Sequence, residues 1–180
     1  HITEESGVRV EMMRKRMRKM ETALANDLRG PTVYGDAGTK EDVDATLLVW
    51  GSTLPAACEA VALLAADGIR ANVLHYTDLW PVSDAAAPLT MRAMPTGDAT
   101  AEAGGAGGLG CGGGRAKEGM LVAVEQNYSG QMSLIHRMIT GRAPDLAVLK
   151  YDGRQISPRE IADGVREGLQ RGRKEGTPDA

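Results

Sequence analysis

The sequence has no phenylalanine, and it holds only two tryptophans and four tyrosines among 180 residues. Its core must therefore be filled by aliphatic and methionine side chains. Cysteine is scarce as well: Cys58 and Cys111 form no C-x-x-C pair, and the three histidines lie in unrelated segments. These absences exclude a disulfide scaffold and the usual zinc patterns. Two unspaced thiols are typical of a reducing compartment, so we expect a cytoplasmic protein.

The chain also lacks a long apolar run and a strong excess of either charge. No stretch of 18 apolar residues is present, so we expect no membrane span, and no signal peptide is visible. The formal net charge of -3 gives no general attraction to nucleic acid or anionic lipid. Because the chain begins at His1, we interpret it as a piece of a longer polypeptide. Its 180 residues suffice for one domain with its own core.

An amphipathic helix is predicted near the start. Apolar residues recur at spacings of three and four, which places them on one helical face; they are Val10, Met13, Met17, Met20 and Leu24. A basic run from Arg14 to Lys19 lies between them, and it is either an anion- or nucleic-acid-binding face or a solvated one. The small net charge favours a solvated face. We take residues 1–27 as this helix and 28–172 as the domain that follows.

Apolar segments alternate with helical segments along the rest of the chain. Strands are predicted at 32–34, 45–50, 69–76, 119–125 and 145–150, and most of them are apolar on both faces. Such strands are typical of a mostly parallel sheet buried between helices. The predicted fold is therefore a three-layer α/β/α domain with a five-stranded sheet, followed by a charged tail, 173–180, that frays.

Each predicted helix has an apolar stripe and a start signal. Ser52 or Thr53 is a candidate cap for the first, and Ser157-Pro158 with Glu160 forms a capping box for the last. We expect the following residues to face inward: Leu54, Cys58, Val61 and Leu64 in the first helix; Leu134, Ile135 and Met138 in the second; Ile161, Val165 and Leu169 in the third.

Several residues that invite a chemical role have a simpler interpretation. Cys58 lies on a predicted core stripe, and His75 lies within a strand, so both are expected to pack or hydrogen-bond rather than react. Asp152-Gly153 suits a turn. Residues 84–118 hold eight glycines between 104 and 114. They match the dinucleotide-binding motif G-x-G-x-x-G, but a glycine-rich segment of low complexity matches it by chance. We interpret them as a flexible insertion that folding does not require.

Three stretches together resemble one protein family. They are the basic helix after His1-Ile2-Thr3-Glu4-Glu5; Trp50-Gly51-Ser52-Thr53 with Leu79-Trp80-Pro81; and 124–131 with 150–154 and Ser157-Pro158. In order and spacing they resemble the last domain of the α subunit of 2-oxoacid:ferredoxin oxidoreductases and the linker helix before it. The linker helix is more similar to the 2-oxoglutarate or branched-chain type than to the pyruvate type.

The resemblance implies a transketolase C-terminal-like domain. It also implies an enzyme that oxidatively decarboxylates a 2-oxoacid on thiamine diphosphate and magnesium, passes electrons through iron–sulfur clusters to ferredoxin, and forms an acyl-CoA. Its partners would be the other α-subunit domains, the β subunit, ferredoxin and coenzyme A. This chain lacks the cysteine set of a cluster and the Gly-Asp-Gly signature of thiamine enzymes. We therefore expect an assembly domain, inactive alone and without its own cofactor. A nucleotide- or flavin-binding domain and a protein-interaction module remain alternatives.

One turn is the best candidate for a functional surface. It leaves a buried strand at the carboxyl end, where open α/β sheets place their sites, and we select from it Glu125, Asn127, Tyr128, Gly130 and Gln131. Asn127 or Ser129 can cap the next helix, whereas Glu125 and Tyr128 are less easily explained as caps. We expect the turn to dock against another domain, because no base or nucleophile accompanies it.

Overall fold

The computed structural model describes residues 4–35, 43–81 and 119–175. Its helices are α1 (Ser6–Asn26), α2 (Leu54–Ala66), α3 (Gln131–Thr140) and α4 (Pro158–Glu175). Its strands are β1 (Thr32–Tyr34), β2 (Ala45–Trp50), β3 (Ala71–Tyr76), β4 (Met120–Glu125) and β5 (Leu146–Leu149). The predicted glycine-rich insertion at 84–118, with Cys111, lies outside the described residues.

The five strands form one sheet in the order β1-β3-β2-β4-β5. β3, β2, β4 and β5 are parallel, and β1 pairs antiparallel with β3 at one edge. α2 and α4 contribute to the core on one face, together with Leu47, Val49 and Val122. α3 contributes Met132 to a smaller cluster on the other face. The predicted three-layer α/β/α class with a mostly parallel five-stranded sheet is confirmed.

The buried face of α2 agrees fully with the predicted one only at Leu64. Its fully buried residues are Ala57, Ala60 and Leu64, whereas the predicted Leu54, Cys58 and Val61 lie at the rim of the core and are only half-buried. Alanines in the centre let the helix backbone approach the sheet closely, and the larger side chains flank that contact. The side-chain cap predicted at Ser52 or Thr53 is also wrong, because the Thr53 hydroxyl donates to the Trp50 carbonyl instead.

The predicted inward face of α3 is wrong for two of its three residues. Leu134 and Met138 are 59% and 67% exposed, while Ile135 packs against the smaller cluster. The buried residues are Met132, His136 and Thr140. Two of these are polar, and burial is tolerated because His136 Nδ1 lies 2.9 Å from the Arg142 carbonyl, which the Thr140 hydroxyl also approaches.

The capping box predicted for α4 is confirmed. The Glu160 carboxylate accepts from the Ser157 amide at 2.8 Å, and the Ser157 hydroxyl accepts from the Glu160 amide at 3.3 Å. Ile161 and Val165 are fully buried, as predicted, and Leu169 packs beside them. The helix continues to Glu175, beyond the point where the charged tail was expected to fray, and residues 176–180 lie outside the described part.

α1 forms as predicted, and its side chains are mostly exposed to solvent. None of its residues is buried, and its apolar stripe remains at the surface. Beyond the end of the helix, the Arg29 amide donates to the Asp78 carboxylate in the loop after β3. Among the described residues, no helix combines the length and apolar character that crossing a membrane requires.

Candidate functional site

The predicted turn lies at the carboxyl edge of the sheet. β4 ends at Glu125, which is in register with Leu149 at the end of β5, and β2 and β3 end together at Trp50 and Tyr76. Because these strands are parallel, all four exit loops emerge at this edge. It is the edge at which open α/β sheets place binding and contact residues.

The Glu125 side chain is fully buried and caps α3. Its Oε2 accepts from the Met132 amide and from Asn127 Nδ2, both at 2.8 Å. Its Oε1 accepts from the Ser133 amide at 2.9 Å and the Ser133 hydroxyl at 2.7 Å. The carboxylate thus satisfies two first-turn amides that would otherwise have no partner, at the positive end of the helix dipole.

The environment of Glu125 keeps it ionised. Burial by itself raises the pKa of the carboxyl group, but the hydrogen bonds from Asn127, Met132 and Ser133 outweigh burial, so the pKa lies below its usual value. An ionised carboxylate without solvent access and with four donors already bound is a poor proton acceptor. The geometry therefore indicates a structural role for Glu125 itself.

Asn127 and Gly130 complete the turn. Asn127 Oδ1 accepts from the Gly130 amide at 2.7 Å and from the Gln131 amide at 3.2 Å, while its Nδ2 holds Glu125. Gly130 has φ 63° and ψ 55°, in the left-handed region that favours glycine. The capping role considered for Asn127 is thus confirmed, although the asparagine lies three residues before the cap position. Its partner in capping, Glu125, was not predicted.

The loop after β5 is hydrogen-bonded to the turn after β4. The Lys150 amide donates to the Glu125 carbonyl at 3.0 Å, and Gln126 Oε1 accepts from the Ile156 amide at 2.7 Å. The rings of Tyr128 and Tyr151 meet edge to face, with centroids 5.0 Å apart and planes at 80°. The turn after β4 and the loop after β5 therefore form one rigid surface, with a tyrosine from each on its outside.

Exposed aromatic side chains are concentrated at this edge. Tyr128 is 76% exposed, Tyr151 is 63% exposed, and Trp80, in the loop after β3, is 58% exposed. Tyr151 and Trp80 were not among the predicted site residues, although Tyr151 directly follows a predicted strand and Trp80 lies in the loop after another. Aromatic residues are rare in this sequence, so an aromatic residue after a predicted strand was the signal that could have identified both.

Ion pairs hold the loop after β5 in place. Lys150 pairs with Asp152 at 3.3 Å and with Glu160. Hydrogen bonding to Lys150, together with the bonds to Ser157, lowers the pKa of Glu160 to about 2. Asp152 accepts from the Arg154 amide at 3.0 Å, which with φ 82° at Gly153 makes the predicted turn.

The described residues do not fit the cofactors that the family resemblance implies. They contain no group of three or more histidine, cysteine or acidic side chains that could hold a metal ion. Cys58 is the free cysteine among them, whereas an iron–sulfur cluster takes several thiolates. Asp152 is bound to Lys150 and to its own turn, so it does not offer a carboxylate for magnesium.

The β2–α2 turn is equally unlike a phosphate-binding loop. It has a single glycine, Gly51, and Pro55 removes a backbone amide from the first turn of α2. The Gly51 carbonyl lies 3.3 Å from His75 Nε2, and the His75 ring meets Tyr34 edge to face. His75 is therefore the packed, hydrogen-bonded residue that was predicted.

Comparison with known proteins agrees with the predicted resemblance at the level of the family. No protein-family model matches the chain. The chain is 30% identical over 176 residues to "2-oxoacid:ferredoxin oxidoreductase 1, subunit alpha" of Aeropyrum pernix, and this match covers 96% of the chain and 23% of the relative. It is 26% identical over 176 residues, with the same coverage, to the 2-oxoacid:ferredoxin oxidoreductase subunit alpha of Saccharolobus solfataricus. The chain thus spans less than a quarter of the length of these relatives.

One solved structure shares the fold over nearly the whole chain. It is a 2-oxoglutarate:ferredoxin oxidoreductase from Magnetococcus marinus, with a TM-score of 0.65 and 22% sequence identity, and it is matched over 93% of this chain and 24% of that chain. The likeness supports the three-layer architecture described above.

Proposed function

We propose that this chain is the transketolase C-terminal-like domain of a 2-oxoacid:ferredoxin oxidoreductase α subunit, and that it serves assembly of the enzyme rather than chemistry. The complete enzyme would convert a 2-oxoacid to an acyl-CoA and reduce ferredoxin, with thiamine diphosphate, magnesium and iron–sulfur clusters held by other parts. We further propose the 2-oxoglutarate or branched-chain type, on the sequence of α1 alone, and a cytoplasmic location.

The similarity to two α subunits carries this proposal. It extends over 96% of the chain at 30% and 26% identity, so α1 and the α/β domain are matched together. A stand-alone nucleotide- or flavin-binding domain is not favoured, because the strand exits among the described residues offer no phosphate loop.

The geometry of Glu125 favours docking over chemistry. Glu125 is the one carboxylate in the candidate turn. Its side chain is buried, and its oxygens accept hydrogen bonds from Asn127, Met132 and Ser133. It can therefore neither reach a substrate nor exchange a proton readily. What it does is hold the turn rigid, so that the outer residues of the turn keep one conformation.

The proposed docking contacts are the residues that this rigid turn exposes. Tyr128 and Tyr151 stand on the surface in mutual contact, and Trp80 is exposed at the same edge. Tyrosine and tryptophan are enriched among the residues that contribute most to protein interfaces. Asn127, Gly130 and Gln131 shape the turn, and Glu125 supports it from inside.

The assembly role is tested in the complete enzyme. Tyr128→Ala should weaken assembly with the rest of the enzyme by about 1–2 kcal/mol, or roughly 5–30-fold, and should lower 2-oxoacid-dependent ferredoxin reduction in parallel. Met138→Ala is the control, because Met138 is also well exposed but lies near the other end of α3. Sedimentation measures assembly and a viologen dye measures turnover. A Tyr128→Ala enzyme that assembles normally yet loses decarboxylation would show that the turn takes part in chemistry.

The family assignment has its own test. The purified complete enzyme, with this chain in its α subunit, should reduce viologen when given coenzyme A and one of several 2-oxoacids. Absence of activity with every 2-oxoacid, in an enzyme whose clusters and thiamine diphosphate are demonstrably bound, would overturn the proposal.

A further inference from the structure

α1 carries an apolar stripe that the described part of the domain does not cover. Val10 is 49% exposed, Met13 39%, Met17 57% and Leu24 37%, and Met20 is half-buried. Most helical stability in proteins comes from packing an apolar face, and α1 has 21 residues of helix with none of them buried. The stripe therefore needs a surface to pack against.

The spacing of the stripe indicates what shape that surface has. The five residues follow one another at intervals of three, four, three and four, which is the a/d pattern of a heptad repeat. Such a stripe is narrower than the apolar face of a helix that lies on a sheet or in a globular core. It fits a single partner helix packed nearly parallel or antiparallel to α1.

The flanks of the stripe indicate the charge of the partner. In the heptad register, Arg9 and Arg16 occupy g positions and Arg14 an e position, beside the stripe. The Arg16 guanidinium lies 3.8 Å from the Met13 sulfur, which places that charge directly at the edge of the stripe. Charges at e and g determine the choice of partner in paired helices, so basic flanks favour acidic ones.

A second copy of α1 suits these flanks poorly. In a parallel pair of identical helices each g residue faces the e residue five positions further along the partner. Arg9 would then face Arg14, a repulsive pair, while Arg16 would face Glu21, an attractive one. The repulsive and attractive pairs offset each other in self-pairing, whereas a partner with acidic flanks is attracted by three arginines and repelled by Glu21.

We propose that α1 packs through this stripe against one amphipathic helix of the remainder of the same enzyme, a helix with acidic residues beside its apolar face. The proposal rests on the function proposed above. More than three quarters of each relative's length lies outside the part that this chain matches, so such an enzyme has room for the partner. The Arg29 amide donates to Asp78, so the segment that follows α1 lies beside the carboxyl edge of the sheet.

The test measures amide hydrogen exchange across α1 in the complete enzyme. Exchange in wild-type α1 should be slowed at least about tenfold relative to an unfolded peptide. The double variant Arg14→Glu with Arg16→Glu should exchange its α1 amides about tenfold faster than the wild type. Lys15→Glu with Lys19→Glu makes the same charge change on the side of α1 away from the stripe, and it should change exchange less than about twofold. Unchanged protection of β2 shows that each variant is folded.

A cross-link identifies the partner without disturbing the flanks. Met17→Cys, labelled with a photoreactive maleimide, should cross-link to a helix of the same enzyme that has acidic residues beside its apolar stripe. A cross-link to α1 of another copy, equal effects of the two charge reversals, or unprotected α1 amides would each overturn the inference. An enzyme with protected α1 but no 2-oxoacid activity would instead overturn the proposed function and leave the helix pairing intact.

Discussion

Glu125→Gln should destabilise the chain although the two side chains have nearly the same shape. The carboxylate accepts four hydrogen bonds through two oxygens. The glutamine amide keeps one of these oxygens and has a nitrogen in place of the other. Placing the amide nitrogen at the Oε1 position leaves the Ser133 amide without an acceptor, whereas the Ser133 hydroxyl can rotate and accept from the new N–H. Placing it at the Oε2 position would leave both Met132 and Asn127 without an acceptor. We expect the first orientation.

The size of the effect follows from the number of bonds lost. A hydrogen bond to a charged group contributes roughly 1.5–3 kcal/mol, and a buried donor without a partner costs a similar amount. The loss of one such bond, together with a charge at a helix N-terminus, predicts about 2–3 kcal/mol. For a chain of this size that corresponds to a fall in Tm of roughly 4–12 °C.

The loss should depend on pH, with a definite sign. Because the folded pKa of Glu125 is lowered, its stabilising contribution is fully present above the unfolded pKa of about 4.3. It is lost as the pH falls through the folded pKa, since protonation then favours the unfolded state. The gap between wild type and Glu125→Gln should therefore be widest near neutral pH and should narrow below about pH 4.

Urea unfolding at pH 7 and at a series of lower pH values measures both effects. Glu59→Gln is the control, because Glu59 is exposed on α2 and its substitution removes the same charge. A Glu125→Gln chain within about 0.5 kcal/mol of wild type, or a gap that does not vary with pH, would refute the structural role assigned to this carboxylate.

Three further outcomes are expected of the same chain. Gly130→Ala should destabilise it by about 1 kcal/mol in urea unfolding, through backbone strain alone, because φ is 63° while the nearest atom to an added Cβ is 3.5 Å away; a stabilised variant would contradict the left-handed turn. Ser157→Ala should lower the free energy of unfolding by about 1 kcal/mol by removing one half of the capping box; no change would mean that Glu160 alone caps α4. Calorimetric titration with thiamine diphosphate and magnesium should give no binding tighter than about 1 mM, and tighter binding would contradict an assembly domain without its own cofactor.

The strands and their order of appearance could be predicted from the sequence because the signal is long and uniform. β2, β3 and β4 are runs of apolar residues bounded by glycine or polar loops, and such runs are buried in the middle of a sheet. Helix faces were harder to predict. In α2 two alanines form the buried face together with Leu64, so large side chains alone did not mark that face.

The error in α3 has a more specific cause. The orientation of that helix is set at its N-terminus, where Glu125 binds the amides of Met132 and Ser133 and thereby fixes which side faces the sheet. Its buried face then includes His136, whose partner is the Arg142 carbonyl beyond the end of the helix. A hydrophobic pattern cannot reveal a face that is determined by hydrogen bonds to residues on either side of the helix.

The same contacts explain why the location of the candidate site could be predicted but not the roles of its residues. A cluster of polar residues after a buried strand indicates a turn at the carboxyl edge, and the turn is there. Whether a carboxylate in it points outward or inward depends on which donors lie within reach, and the amides nearest to Glu125 belong to α3. With Glu125 turned inward, the outer surface is left to Tyr128 and to Tyr151 from the next loop. A turn that buries its only carboxylate and exposes a tyrosine paired with Tyr151 is suited to holding another protein surface, and it is poorly suited to transferring a proton.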